Sequence, residues 1–176
     1  IEVSSKDLVA EYVGQTAPKT MEVVNKARGG ILFIDEAYSL AVDKNNSYNA
    51  EAIATLIKAM EDYRDDLVVI FAGYTKEMQD FISSNSGIAS RIGYTFVFED
   101  YTNEELKKIF TNMMEKSGFI VVQSALDKLD NIISKERLKD NFGNARFIRN
   151  VYEKTIINHA TNTKNIKDKN KLITIT

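Results

Sequence analysis

The sequence has 176 residues, 44% hydrophobic and 27% charged, with a formal charge of −2 and a pI near 5.6. That length allows one domain or two small ones with a real core, and the charge balance gives no sign of a nucleic-acid surface. The lack of cysteine excludes disulfides, thiol catalysis and thiolate metal sites, and no apolar run approaches the ~18 residues of a membrane span. With no secretory signal pattern either, the reading is cytoplasmic, and a chain that opens on Ile1 directly in strand-like sequence reads as a fragment.

In chain order, Ile1 to Val3 reads as the end of a strand and Ser4 to Asp7 as a turn. Pro18, the only proline, fits the first turn of a helix running to about Ala27, with Met21, Val24 and Ala27 on its buried side. Gly29 to Glu36 follows: four large apolar residues opened by a glycine pair and closed by two carboxylates. That pattern predicts a strand buried on both faces of a parallel sheet. After a polar loop at Asp43 to Ser47 comes a helix capped at Asn49, with Ile53, Leu56, Ile57 and Met60 on one stripe. Leu67 to Ala72 is a second continuous apolar strand, ended by Gly73-Tyr74-Thr75. A short helix carrying Met78, Phe81 and Ile82 leads to a loop at Ser83 to Gly87, and Tyr94 to Phe98 reads as a third strong strand. Strands alternating with helices argue for a parallel α/β sheet.

Beyond Asp100 the pattern turns helical. Thr102-Asn103-Glu104-Glu105 is a capping box, Leu106, Ile109, Phe110 and Met113 form one stripe, and Gly118 ends the helix. A second helix starts near Ser124 and a third after Gly143-Asn144; a solvated Lys/Asn-rich tail and a short strand at Leu172 to Thr176 close the chain. The reading is therefore an α/β part, residues 1–100, followed by a small helical part, residues 101–176.

Chemistry concentrates at Asp35 and Glu36, just past the carboxyl end of a predicted strand, where open α/β sheets bind their ligands. In a P-loop nucleotidase an acid there holds Mg²⁺, usually through water, and a second polar group polarises the attacking water. The competing reading is a core strand running into an acidic helix start, where carboxylates suit the helix dipole. His159, the only histidine, has no second metal ligand at helical spacing and reads as a surface or lid residue.

Taken together, several motifs in order resemble the CbxX/CfqX branch of the AAA+ ATPases. They are Tyr12-Val13-Gly14, the run Gly14 to Thr20, Leu32 to Leu40, Met60-Glu61-Asp62, Ala72-Gly73-Tyr74, Ser90-Arg91 and Gly143-Asn144-Ala145-Arg146. That branch includes a stage V sporulation protein, red-type Rubisco activases and type VII secretion ATPases. The resemblance implies an AAA+ core with a parallel sheet and a carboxyl-terminal helical lid, and an enzyme that hydrolyses ATP with Mg²⁺. Asp35 and Glu36 would be the Walker B pair, Asp35 on Mg²⁺ and Glu36 on the water. Tyr74, with Thr75 beside it, falls at sensor 1. Arg91 would be an arginine finger reaching a neighbouring subunit's ATP, a task that suits a permanent forked cation. Arg146 would be sensor 2, with Arg149 one turn along as its rival. Tyr12, Val13 and Gly14 would line the pore of a ring of identical subunits, a hexamer, and grip a protein substrate; without the family pattern they read as a buried pair at a helix approach.

The pattern breaks in one place: no G-x-x-x-x-G-K-[ST] occurs, and no glycine is followed by lysine. The resemblance places that P-loop, and a first strand central to the sheet, ahead of Ile1. The chain alone is then expected to bind ATP weakly or not at all. Its sheet is expected to be altered, with the strands ending at Ala72 and around Phe96 closing on each other or the gap taken by another chain. The rival from a different class is a non-catalytic ring or scaffold module.

Overall fold

The computed structural model describes residues 1–41, 47–139, 142–164 and 166–176, so the predicted loop at Asp43 to Ser47 lies almost wholly outside the described residues. Two compact units are present, residues 1–97 and 98–176, each with its own core.

The first unit is built on a parallel sheet of order β1-β2-β3, from β1 (Glu2–Val3), β2 (Gly30–Ile34) and β3 (Leu67–Phe71). β2 and β3 run in register from Gly30↔Leu67 to Ile34↔Phe71. Between β1 and β2 come α1 (Ser5–Leu8) and α2 (Thr16–Ala27); a 3-10 turn (Ala37–Ala41) and α3 (Ser47–Asp62) lead on to β3. α4 (Thr75–Ser84) and α5 (Ser86–Ala89) follow. α2 and α3 pack on each other and on one face of the sheet, where Leu32, Ile34, Val24 and Leu56 are fully buried.

Several expectations are corrected. Ser4 to Asp7 is the start of a short helix rather than a plain turn, because the Ser4 N–H and hydroxyl both donate to Asp7 Oδ2 at 2.8 and 2.9 Å. α3 starts two residues before Asn49, which therefore lies within its first turn and is not its cap. Ser83 to Gly87 is mostly helical, shared between α4 and α5.

β2 is buried on one face only. Ile31 is 49% exposed and its partner Val68 56%, while Ile70, beside Phe33, is 39% exposed. A parallel sheet is normally covered on both faces, and here α2 and α3 cover one. Tyr94 to Phe98 is not a strand. Its side chains are open to solvent, Phe96 81% and Phe98 93% exposed, and β3 pairs with β2 alone among the described residues. Strand propensity is a fit to a neighbouring strand and packed surface, and neither meets these five residues. Direct closure of this segment on β3 does not occur.

The second unit contains α6 (Asn103–Lys116), β4 (Ile120–Val121), α7 (Gln123–Glu136), α8 (Asn144–Thr163), α9 (Lys169–Ile173) and β5 (Thr174–Ile175). Leu106, Phe110 and Met114 of α6 meet Leu129 and Ile133 of α7 and Ile148 of α8 in its core. The polar tail is not simply solvated: α9 interrupts it, and β5 pairs in parallel with β4, Val121↔Ile175. His159 explains part of this, since its Nε2 lies 2.8 Å from the Leu172 carbonyl and its ring stands edge-on to Phe119.

α6 opens as its sequence predicts. Glu105 N–H donates to Thr102 Oγ1 at 3.2 Å, and Thr102 N–H donates to Glu105 Oε2 at 2.8 Å. That backbone bond, then the Thr102 hydroxyl, holds the Glu105 carboxyl below its ordinary range. A depressed folded value means the contribution is complete above the unfolded pKa and fades as pH falls through the folded one. Thr102→Ala is expected to cost about 1 kcal/mol at neutral pH, read from urea denaturation of the whole chain, with the difference shrinking below about pH 4.

Candidate nucleotide site at the carboxyl end of the sheet

β2 delivers Asp35 and Glu36 to solvent at its carboxyl end, both exposed. The Asp35 N–H donates to the Val3 carbonyl at 2.9 Å and Ala72 N–H to Ile34 O at 2.9 Å, so both neighbouring strands fix the place where β2 stops. Ala37 N–H then donates to Ala72 O at 3.0 Å, turning the chain away sharply. The turn places Glu36 at φ 48, the left-handed region that non-glycine residues enter at a cost of about 1–3 kcal/mol. Asp35 Oδ1 accepts from the Glu36 N–H at 3.0 Å and steadies that conformation.

Tyr74 lies at the same end of the sheet, past the carboxyl end of β3. It comes three residues after the last residue of β3, is 57% exposed, and its ring centroid lies 6.3 Å from that of Tyr38. Tyr38 belongs to the Leu32 to Leu40 motif, whose pattern alone assigns it no task. Burial pushes its phenol up, and the nearby Glu36 carboxylate adds to the effect. Gly73 makes the arrangement possible, because a Cβ on it would sit 2.7 Å from Tyr38 Cδ1 and 3.0 Å from Met78 Sδ. The strand-end glycine before Tyr74 is thus required by a ring packed against the backbone, which the sequence signals only as an Ala-Gly-Tyr motif.

Arg91 lies just beyond α5. Its Nη2 pairs with Glu61 Oε2 at 3.2 Å, and its Nη1 donates to the Gly87 carbonyl at 3.1 Å. Tyr12 and Val13 are 67% and 85% exposed, so the buried-pair reading of this stretch is set aside. Gly14 takes φ 79, the turn that lets the loop reverse. The loop is tethered at its base: Lys19 Nζ donates to the Lys6 and Val9 carbonyls at 2.7 Å each, and Thr16 Oγ1 accepts from Ala10 N–H at 3.1 Å. In the second unit Arg146 is the third residue of α8. The helix start is pinned by Asn144, at φ 46, whose side chain donates to Asp100 Oδ1 at 2.6 Å and accepts from Tyr101 N–H at 3.2 Å.

The first unit therefore brings Asp35, Glu36, Tyr38 and Tyr74 to one end of a parallel sheet. A hydrated divalent cation fits the exposed Asp35 carboxylate, although no cluster of three or more metal-ligating side chains exists among the described residues. The phosphates of a nucleotide need a backbone cradle and a lysine, and no G-x-x-x-x-G-K-[ST] stands among the 176 residues to supply them. No helix among the described residues is long and apolar enough to cross a membrane.

A parallel sheet with paired acids past its middle strand, followed by a separate helical unit, is the architecture of the AAA family. The model of the ATPase family associated with various cellular activities (AAA) matches residues 1–100, and that of the AAA lid domain matches residues 102–176. The FIGL-1 AAA domain superposes with a TM-score of 0.65 at 15% identity, over 99% of this chain and 58% of that one. A Thermotoga maritima RuvB mutant superposes at 0.62 and 20% identity, over 98% and 50%. The chain belongs to the AAA ATPases, in their CbbX/CfxQ-like branch. It is 46% identical to a CfxQ homolog of Trieres chinensis over 90% of this chain and 55% of the relative. It is 44% identical to CbbX of Cereibacter sphaeroides over 91% and 52%. With the chloroplastic ribulose bisphosphate carboxylase/oxygenase activase of Cyanidioschyzon merolae it shares 43% identity, over 91% and 55%. The chain spans about half the length of these curated relatives.

Proposed function

We propose that this chain is the Walker B, finger and lid portion of an ATP-hydrolysing motor that works as a cytoplasmic ring of identical subunits, a hexamer, and remodels a protein partner. The observation that carries the reading is the strained Glu36 beside Asp35 at the end of β2, facing the side of Tyr38 and Tyr74. Strain of this kind survives where the surroundings over-determine it, and functional sites are where it gathers.

In this reading Asp35 would hold a water-bound Mg²⁺, which when present would supply charge to offset that developing on the phosphates. Glu36 accepts the proton of the attacking water, and Tyr74 helps to orient that water. Arg91 offers its guanidinium to the terminal phosphate held by the neighbouring subunit. Arg146, at the start of α8, reads the nucleotide of its own subunit. Tyr12 and Val13 contact extended polypeptide through an aromatic and an aliphatic surface that do not discriminate sequence, and Gly14 lets their loop bend. The phosphate cradle comes from residues other than these 176. The substrate named by one relative, ribulose bisphosphate carboxylase/oxygenase, is one member of the protein class such a motor would act on.

The test is ATP turnover by the product of the complete open reading frame, beside its Glu36→Gln variant. Loss of the general base is expected to lower turnover about 10²- to 10⁴-fold with ATP binding retained. Ring assembly without turnover in either protein would replace the motor with the scaffold reading.

A further inference from the structure

The pairing of Arg91 leaves Glu61 without a task in the scheme above, although the contact is built with care. Gly87 of α5 approaches α3 so closely that a Cβ on it would stand 2.7 Å from Ile57 Cδ1. Arg91 follows Gly87 by four residues, and Glu61 follows Ile57 by four. On α3 four residues are one helical turn, so Glu61 lies one turn beyond Ile57 on the same face, while Arg91 stands two residues past the end of α5. From there its guanidinium meets the carboxylate, Nη2 to Oε2 at 3.2 Å.

A second anchor acts at the same time. Arg91 Nη1 donates to the Gly87 carbonyl at 3.1 Å and lies 3.4 Å from Ser90 Oγ. The two terminal nitrogens are thus held from different directions, one by α3 and one by the backbone of α5. A guanidinium has five N–H donors in a rigid fork, so such anchoring leaves donors for an anion while restricting the rotamers of a long side chain. As a stability device the pair makes little sense. The Glu61 side chain is 52% exposed and shares its carboxylate with Arg64 at 3.5 Å, and exposed pairs of this type contribute little. Its value lies in placing a charge.

We propose that Glu61 is a positioning residue for Arg91, which with the Gly87 carbonyl holds the guanidinium ready for the phosphate of a neighbouring subunit. This rests on the reading of Arg91 as the arginine finger.

A double-mutant cycle on the full-length protein tests it, using Glu61→Gln, Arg91→Ala and the two combined, with kcat and the KM for ATP measured for each. Glu61→Gln is expected to lower kcat about ten- to a hundredfold, the cost of a misplaced catalytic group, with KM nearly unchanged. In the Arg91→Ala background it is expected to cause no further loss, because residues that act through one group are not additive. The urea midpoint should stay near that of the parent, which a merely structural role would move. Side-chain ¹⁵N relaxation of Arg91 in the 176-residue chain gives a readout without turnover: its guanidinium should be ordered in the parent and mobile in Glu61→Gln. Equal losses in both backgrounds, a rise in kcat, or Arg91 equally mobile in both chains would each overturn the role of Glu61 while leaving the finger standing. An Arg91→Ala protein that turns over ATP normally, or a parent that does not turn it over, removes the finger reading and this one with it.

Discussion

Arg91→Ala in the full-length protein is expected to lower maximal ATP turnover about a thousandfold while ATP binding stays close to that of the parent. The size follows from the task. A cation supplied to the transferring phosphoryl group is worth roughly 10³–10⁵ in rate, and a thousandfold corresponds to about 4 kcal/mol of transition-state stabilisation. Losing the surface contact with Glu61 costs at most about 1 kcal/mol of stability, so unfolding cannot account for such a fall. Steady-state turnover beside binding of a fluorescent ATP analogue separates the two effects. Mixing adds a further readout: Arg91→Ala subunits combined with Glu36→Gln subunits should regain activity, because some interfaces then join an intact Glu36 to an intact Arg91. No recovery on mixing, with mixed rings demonstrated, would rule out action between subunits.

Phe81→Ala is expected to be the most damaging single truncation in the first unit. Phe81 is 1% exposed, its ring lies 5.9 Å from that of Phe71, and it fastens α4 to the last residue of β3. Removing a buried aromatic side chain costs about 3–5 kcal/mol, against a total of roughly 5–15 kcal/mol for a domain. The sheet has an apolar face open at Ile31, Val68 and Ile70, which leaves little in reserve. Urea denaturation of the chain should show the loss as a lower midpoint with an unchanged slope. Because α4 starts at Thr75, directly after Tyr74, the same change should loosen the Tyr38–Tyr74 ring contact. A midpoint within error of the parent would mean that α4 is held chiefly by other contacts.

Much of the local structure was legible in the residues because its causes are local. The capping box at Thr102 and Glu105 works through positions three apart, and the left-handed stop at Gly118, φ 80, needs only a missing Cβ. The apolar runs at Gly30–Ile34 and Leu67–Phe71 pair in parallel as the middle strand and an edge strand of the sheet, with Asp35 and Glu36 at the end of the first. Periodicity misled where an outcome depends on what lies beside a segment. Tyr94 to Phe98 has the composition of a strand and is unpaired and exposed, because backbone pairing needs an adjacent edge and no sequence pattern states whether one is within reach. The four apolar residues of β2 read as buried on both faces, yet Leu32 and Ile34 are covered while Ile31 is open, since α2 and α3 pack on the face that Leu32 and Ile34 share.

The sequence by itself determined membership of the AAA ATPases and the order of strands and helices around an acidic strand end. Those properties follow from hydrophobic period, caps and short motifs, which are contained within a few residues of one another. Only the tertiary structure decided that Tyr38 packs over Gly73 beside Glu36, and that Arg91 meets Glu61 of α3 while Gly87 of α5 comes close to Ile57. Such contacts depend on distances of a few ångströms between segments far apart in the chain, and they arise when the core is assembled.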